Sequence, residues 1–168
     1  MVSELWEATA RSVLMGVGAT LTMDLWAALL RRLGVPSLRF ELLGRWVGNL
    51  PRGHWSHENI ARTPPVRGER LIGWCAHYLI GIGFAGLALA VHGLSWARSP
   101  TLLGALMIGV VTVLAPWLIL QPAIGAGIAS AKTARPVFNS CKSLVTHIVF
   151  GAGLFLAGRA TAWLITTP

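Results

Sequence analysis

The sequence predicts an all-α protein, an integral membrane bundle of four transmembrane helices with one amphipathic interfacial helix in its first cytoplasmic loop. Three observations lead there. Hydrophobic residues fill 54% of the 168 positions, charged residues only 12%, and the mean hydropathy of +0.63 belongs to chains that live in lipid. Four mostly apolar stretches each reach about twenty residues, the length that crosses a hydrocarbon core, and such segments must be helical because lipid satisfies no backbone N–H or C=O. Eight of the fourteen Lys and Arg residues stand between Arg31 and Arg70, beside apolar spans. A formal charge of +8 would point to nucleic acid in a soluble chain; membrane topology accounts for it here, so the bilayer is the expected partner and nucleic acid is not. One membrane domain is read over residues 1–168.

The first span covers residues 11–33. Glu4 and Glu7 precede it where a signal peptide would be positive, and Arg31 and Arg32 follow it without a small-residue cleavage site, so it is expected to stay as a membrane helix. The connection over residues 34–70 carries Arg39, Arg45, Arg52, Arg62, Arg67 and Arg70, which the positive-inside rule places in the cytoplasm. Inside it, Pro36 and Ser37 open a helix over about residues 37–50. Leu38, Leu42, Trp46 and Leu50 form its apolar stripe, with Arg39, Arg45 and Asn49 on other faces, so it is expected to lie on the inner membrane surface; the basic residues of the loop either contact anionic head groups or, as the plainer reading has it, only set the topology. The remaining spans are read at 71–92, 101–120 and 143–165. Their loops alternate in charge, with Arg98 alone in one and Lys132, Arg135 and Lys142 in the other, which puts both termini outside. Arg159 is close enough to the outer end of the fourth span to snorkel. Pro116 predicts a kink in the third, and the Gly-rich continuation after Gln121 reads as re-entrant or interfacial.

The chemistry concentrates at one depth. Asp24 lies seven residues inside Arg31, His77 seven inside Arg70 and His147 five inside Lys142, so all three sit about 7–11 Å from the cytoplasmic ends of their helices at 1.5 Å per residue. A carboxylate within a span costs a few kcal/mol unless something pairs with it, roughly 3 on insertion scales. Asp24 also shares a helical face with Gly16, Thr20, Ala27 and Arg31, His77 with Gly73, Gly81 and Ala85, and His147 with Ser143, Gly151 and Gly158. Small-residue faces are where helices approach closely, so the three side chains are expected to meet inside the bundle, with Gln121 joining from the rim. A carboxylate beside two imidazoles can pass protons, bind a small solute or ion, or coordinate a metal through Asp24, His77 and His147; it can equally be a hydrogen-bonded lock that fixes helix register. No cofactor is required by any motif.

Other motifs read blandly. Gly81-Ile82-Gly83-Phe84-Ala85-Gly86 matches GxGxxG, but it lies within an apolar span with no strand before it and no acid about twenty residues on, so helix packing is expected and not a dinucleotide. His54, His57 and Glu58 read as a solvated loop. Cys75 and Cys141 are expected as reduced thiols, with Cys75 a small core residue.

Residues 16–26 around Asp24, Gly44-Arg45-Trp46, Leu50-Pro51-Arg52-Gly53, Pro65-Val66-Arg67-Gly68-Glu69, Gly73-Trp74 with Ala76-His77-Tyr78, Gln121-Pro122-Ala123 with Gly125-Ala126-Gly127, and Ser143-Leu144 with Thr146-His147 together resemble the bacterial domain-of-unknown-function 2938 family. The resemblance implies a small multi-pass protein of the inner membrane with four helices and supplies no activity. Three functions stay open. The first is a small solute or ion carrier using Asp24, His77, His147, Gln121 and Thr20, working as a homo-oligomer through its Gly/Ala helix faces. The alternative is a non-catalytic membrane subunit or assembly factor whose polar cluster is structural. The third is a metal-dependent intramembrane enzyme.

Overall fold

The computed structural model describes residues 2–37 and 39–165. Its main helices are α1 (Val2–Arg32), α2 (Phe40–Asn49), α3 (Glu69–Arg98), α4 (Leu102–Ala123) and α5 (Pro136–Leu164), and there is no strand among the described residues. Four of them, all but α2, are long and apolar enough to cross a membrane.

Each long helix exceeds the span read from its apolar run, and the extensions have local causes. α1 begins before residue 11 because Glu7 and Arg11, one turn apart, pair at 2.8 Å, and Arg98 closes on Glu7 at 2.6 Å. Mutual neutralisation lets the apolar environment continue past them. Arg11, only 1% exposed, also donates to the carbonyls of Ala97 and Ile165, covering acceptors that the ends of α3 and α5 leave open. α3 passes residue 92 through a break at Gly93 (φ 82, ψ 169) before its last turn reaches Arg98. α5 opens on Pro136, where a missing N–H costs nothing.

Some close helix crossings fall on the predicted small-residue faces, at Gly16, Gly81 and Gly151, and others use Gly109 and Gly153, which those faces did not include. A Cβ on Gly16 would sit 2.8 Å from the Ile82 nitrogen, and one on Gly81 would overlap the Thr20 hydroxyl, so α1 and α3 meet backbone to backbone. Gly153 meets Ala19 and Thr22 between α5 and α1, and Gly109 meets Gly151 between α4 and α5. Met15, Ala19, Ala85, Ala88, Phe150 and Leu154 fill the core between them. The GxGxxG glycines divide accordingly: Gly81 is a contact point, whereas Gly83 has open space around it.

The bundle does not close evenly. α1 packs on α3 and α5, and α5 on α4, while α3 makes few contacts with α4 or α5. α3 and α4 approach near their joining turn, where Gly104 lies under Trp96 and His92 and Trp96 donates to Thr101 at 3.1 Å. Toward the opposite end they separate. There α4 departs from regular α geometry: Pro116 has no N–H to offer the carbonyl one turn back, and a π-helical turn spans Pro116–Leu120, the form taken by the predicted kink.

The connection before α3 differs most from expectation. Arg45 is buried, not on a polar face: its guanidinium grips Glu69 with two bonds of 2.8 Å and donates to the carbonyls of Ile60 and Thr63 at 3.2 and 2.8 Å. Hydrogen bonding to Glu69 holds the Arg45 pKa above its ordinary value against the opposing effect of burial. α2 docks on the first turns of α3 through Gly44 and Gly73, where either Cβ would overlap the facing backbone, and its buried residues are Leu43, Gly44, Arg45 and Asn49. The predicted stripe, Leu42, Trp46 and Leu50, is only half-buried, and Leu38 lies outside the described residues. The His54 to Glu58 stretch is likewise not simply solvated: the His57 and Ile60 amides donate to the carbonyls of Ala123 and Ile124, and Gly125 packs against the Glu58 carbonyl. Cys75 is exposed, two positions from His77 and hence on the far side of α3; both cysteines are free.

Candidate functional site

Asp24 and His77 meet. The His77 Nε2 stands 3.0 Å from Asp24 Oδ1, and the Tyr78 hydroxyl donates to Oδ2 at 2.9 Å, so two consecutive α3 residues straddle one carboxylate of α1. An ionised Asp24 accepts both bonds, which places the proton of His77 on Nε2. Asp24 and His77 side chains are each 15% exposed, and Phe40 of α2 stacks on the imidazole with ring centroids 4.5 Å apart. Charge-assisted bonds of this kind are roughly twice as strong as neutral ones.

His147 belongs to the same wall but to a different bond. Its Nδ1 lies 3.1 Å from the Thr112 hydroxyl, which donates onward to the Gly109 carbonyl at 2.8 Å. With that hydrogen committed, Nδ1 of a neutral His147 carries the ring proton and Nε2 is the acceptor. Phe84 stands edge-on to both His147 and Phe150, at 6.3 and 5.9 Å. Gln121 donates to the Ser143 hydroxyl at 3.2 Å, while its Oε1 is buried with no partner among the described residues. Thr20 spends its hydroxyl hydrogen on Gly16 of its own helix, at 2.7 Å, beneath Gly81. The predicted residues therefore share a region but form separate bonded pairs.

What unites them is a cavity of about 590 Å³ whose wall takes Thr20 and Asp24 from α1, His77 from α3, Gln121 from α4 and His147 from α5. Its remaining surface is mostly apolar, from residues such as Met23, Leu30, Phe84, Leu120 and Phe150. Ligand pockets run to roughly 300–1,000 Å³. At one end Lys142 donates from its ammonium to the Pro36 carbonyl at 2.6 Å, tying α5 to the segment before α2. Below lies the turn from α4 to α5, where Ala129 and Ser130 take positive φ values of 46 and 63; side chains seldom adopt these, and the Ser140 and Thr133 hydroxyls hold the carbonyls of Ala129 and Ser130 there.

Among the described residues no three His, Cys, Asp or Glu side chains are placed to hold one metal ion. His147, bonded to Thr112, does not complete a set with Asp24 and His77. Sequence reasoning missed Tyr78 and Thr112. Tyr78 had a signal, since the neighbour of His77 lies only 100° around the helix; Thr112 had none, because its contact depends on the α4–α5 crossing.

Helices of this length and apolarity, arranged around a polar-walled cavity, define the class as a multi-pass helical protein of membrane-spanning make-up. The chain belongs to the family described as protein of unknown function (DUF2938), which matches residues 13–161. No curated protein and no solved structure matches it. The family match takes in Asp24, His77, Gln121 and His147 and leaves out Glu7 and Arg11.

Proposed function

We propose that this protein is a carrier of the bacterial inner membrane that holds a small solute or ion in the cavity beside Asp24. The observation that carries the reading is the joint wall: a space of ligand size bounded by four helices, with an acid and an imidazole in contact on it. An Asp–His pair can pass a proton, and binding or release of a solute can be coupled to that step. In this reading the basic connection faces the cytoplasm, both termini lie outside, and α2 rests on the membrane surface with Leu42, Trp46 and Leu50 half-exposed toward anionic lipid. Glycine faces not used within the bundle, such as that of Gly83, are available to a second copy.

A second reading has its own support. Asp24 is bonded at both oxygens, as in a lock that joins α1 to α3. Asp24→Asn separates the two. In vesicles loaded with a pH-sensitive dye and given an imposed potential, the carrier reading expects proton flux to fall about 10- to 100-fold, the equivalent of ~1.5–3 kcal/mol for one charge-assisted bond. Unchanged flux with a lowered melting temperature would leave only the lock.

A further inference from the structure

We infer that the cavity takes an amphiphile from the bilayer, sideways, with its tail between α3 and α4 and a hydrogen-bond-donating head group beside Gln121 and Asp24; this deepens the carrier reading and rests on it. Among the described wall residues, only Pro36, Ile80 and Ile119 are exposed. At Pro36 the Lys142 bond ties α5 to the segment before α2. Ile80 on α3 and Ile119 on α4, 44% and 59% exposed, stand on two helices with few contacts between them and with no hydrogen bond tying them together at these residues among the described ones, so we read this opening as lateral. Were these helices in a bilayer, that opening would face acyl chains. A hydrated solute would shed its water to pass it, whereas an apolar tail passes at no such cost.

The interior selects the other end of the molecule. Most of the wall is apolar, yet Gln121 keeps a buried carbonyl oxygen with no donor among the described residues. An orphaned acceptor in an apolar setting costs free energy that a ligand hydroxyl or ammonium would recover. The Asp24 carboxylate, with lone pairs beyond its bonds to His77 and Tyr78, extends the same preference for donors. A monoacylglycerol-like molecule has both parts: a single chain and a head of hydroxyls.

The test uses the full chain in phosphatidylcholine vesicles and a monoacylglycerol bearing a photoactivated diazirine on its chain. Adducts are mapped by mass spectrometry at the wall residues Met23, Phe84 and Phe150, with exposed Leu87, which is not on the wall, as reference. The expected result is wall labelling that disappears when Ile80→Trp and Ile119→Trp are combined, while labelling at Leu87 is unchanged. Wall labelling that persists in the double variant overturns the lateral route. In the unaltered protein, a fatty-acid methyl ester with the same diazirine is expected to label the wall less; equal labelling overturns the head-group assignment without reliance on any variant. A water-soluble diazirine glycol distinguishes the two levels: if it labels the wall and the monoacylglycerol does not, the amphiphile falls and a carrier of soluble solutes remains. If neither labels the wall, both fall.

Discussion

Arg45→Ala is expected to release the connection before α3 while leaving the long helices in place. The guanidinium is 9% exposed and the facing carboxylate of Glu69 16%, and the same arginine covers the carbonyls of Ile60 and Thr63. Removing one partner of a buried ion pair costs about 3–5 kcal/mol, because the other charge is left without compensation. Hydrogen exchange reads the result at two amides, His57 and Ile60, whose acceptors are the carbonyls of Ala123 and Ile124. Their protection should drop about 100-fold or more, at 1.4 kcal/mol per decade, and trypsin should find Arg52 and Arg62. Combining Arg45→Met with Glu69→Leu should recover much of the loss, since the unpaired charge is then gone. If both amides stay protected in Arg45→Ala, the arginine does not hold this segment.

Gly109→Val carries the second large effect, at the crossing that supports His147. A Cβ there would lie 2.5 Å from the His147 carbonyl oxygen and 2.9 Å from Gly151 Cα, so backbone and not a flexible side chain has to yield. Overpacking of this kind costs about 1–3 kcal/mol and at times more. Separation of α4 from α5 would also break the contact between Thr112 and His147, which spans the same crossing. The check is the thermal midpoint in detergent, compared with Gly83→Val, where nothing lies within 4 Å of the added group. A fall at residue 109 and none at residue 83 is expected; equal midpoints would mean that the crossing tolerates a wider separation than its geometry implies.

These two positions show where sequence reasoning succeeds and where it stops. The four long helices were legible from apolar length alone, and the pairing of Asp24 with His77 from equal depth on small-residue faces, because both depend on spacing along single helices. Arg45 was misread for the complementary reason. A lone arginine on a short amphipathic helix looks like topological charge until its tertiary partner, Glu69, is known. Glu7 and Arg11 were similarly hidden, since a charged pair at a helix end gives no sign that Arg98 will close on it. His147 lines the same cavity as Asp24 and His77 but bonds Thr112 instead, because its crossing joins Gly151, on the face read for His147, to Gly109 of α4, for which no face was read.

The break at Gly93 bears on how the two polar clusters relate. α3 carries both, His77 toward one end and Arg98 at the other, yet they do not ride on one uninterrupted rod. One non-helical residue stands between them, so α3 is built as two helical rods, the longer carrying the imidazole and the shorter ending at the arginine that meets Glu7.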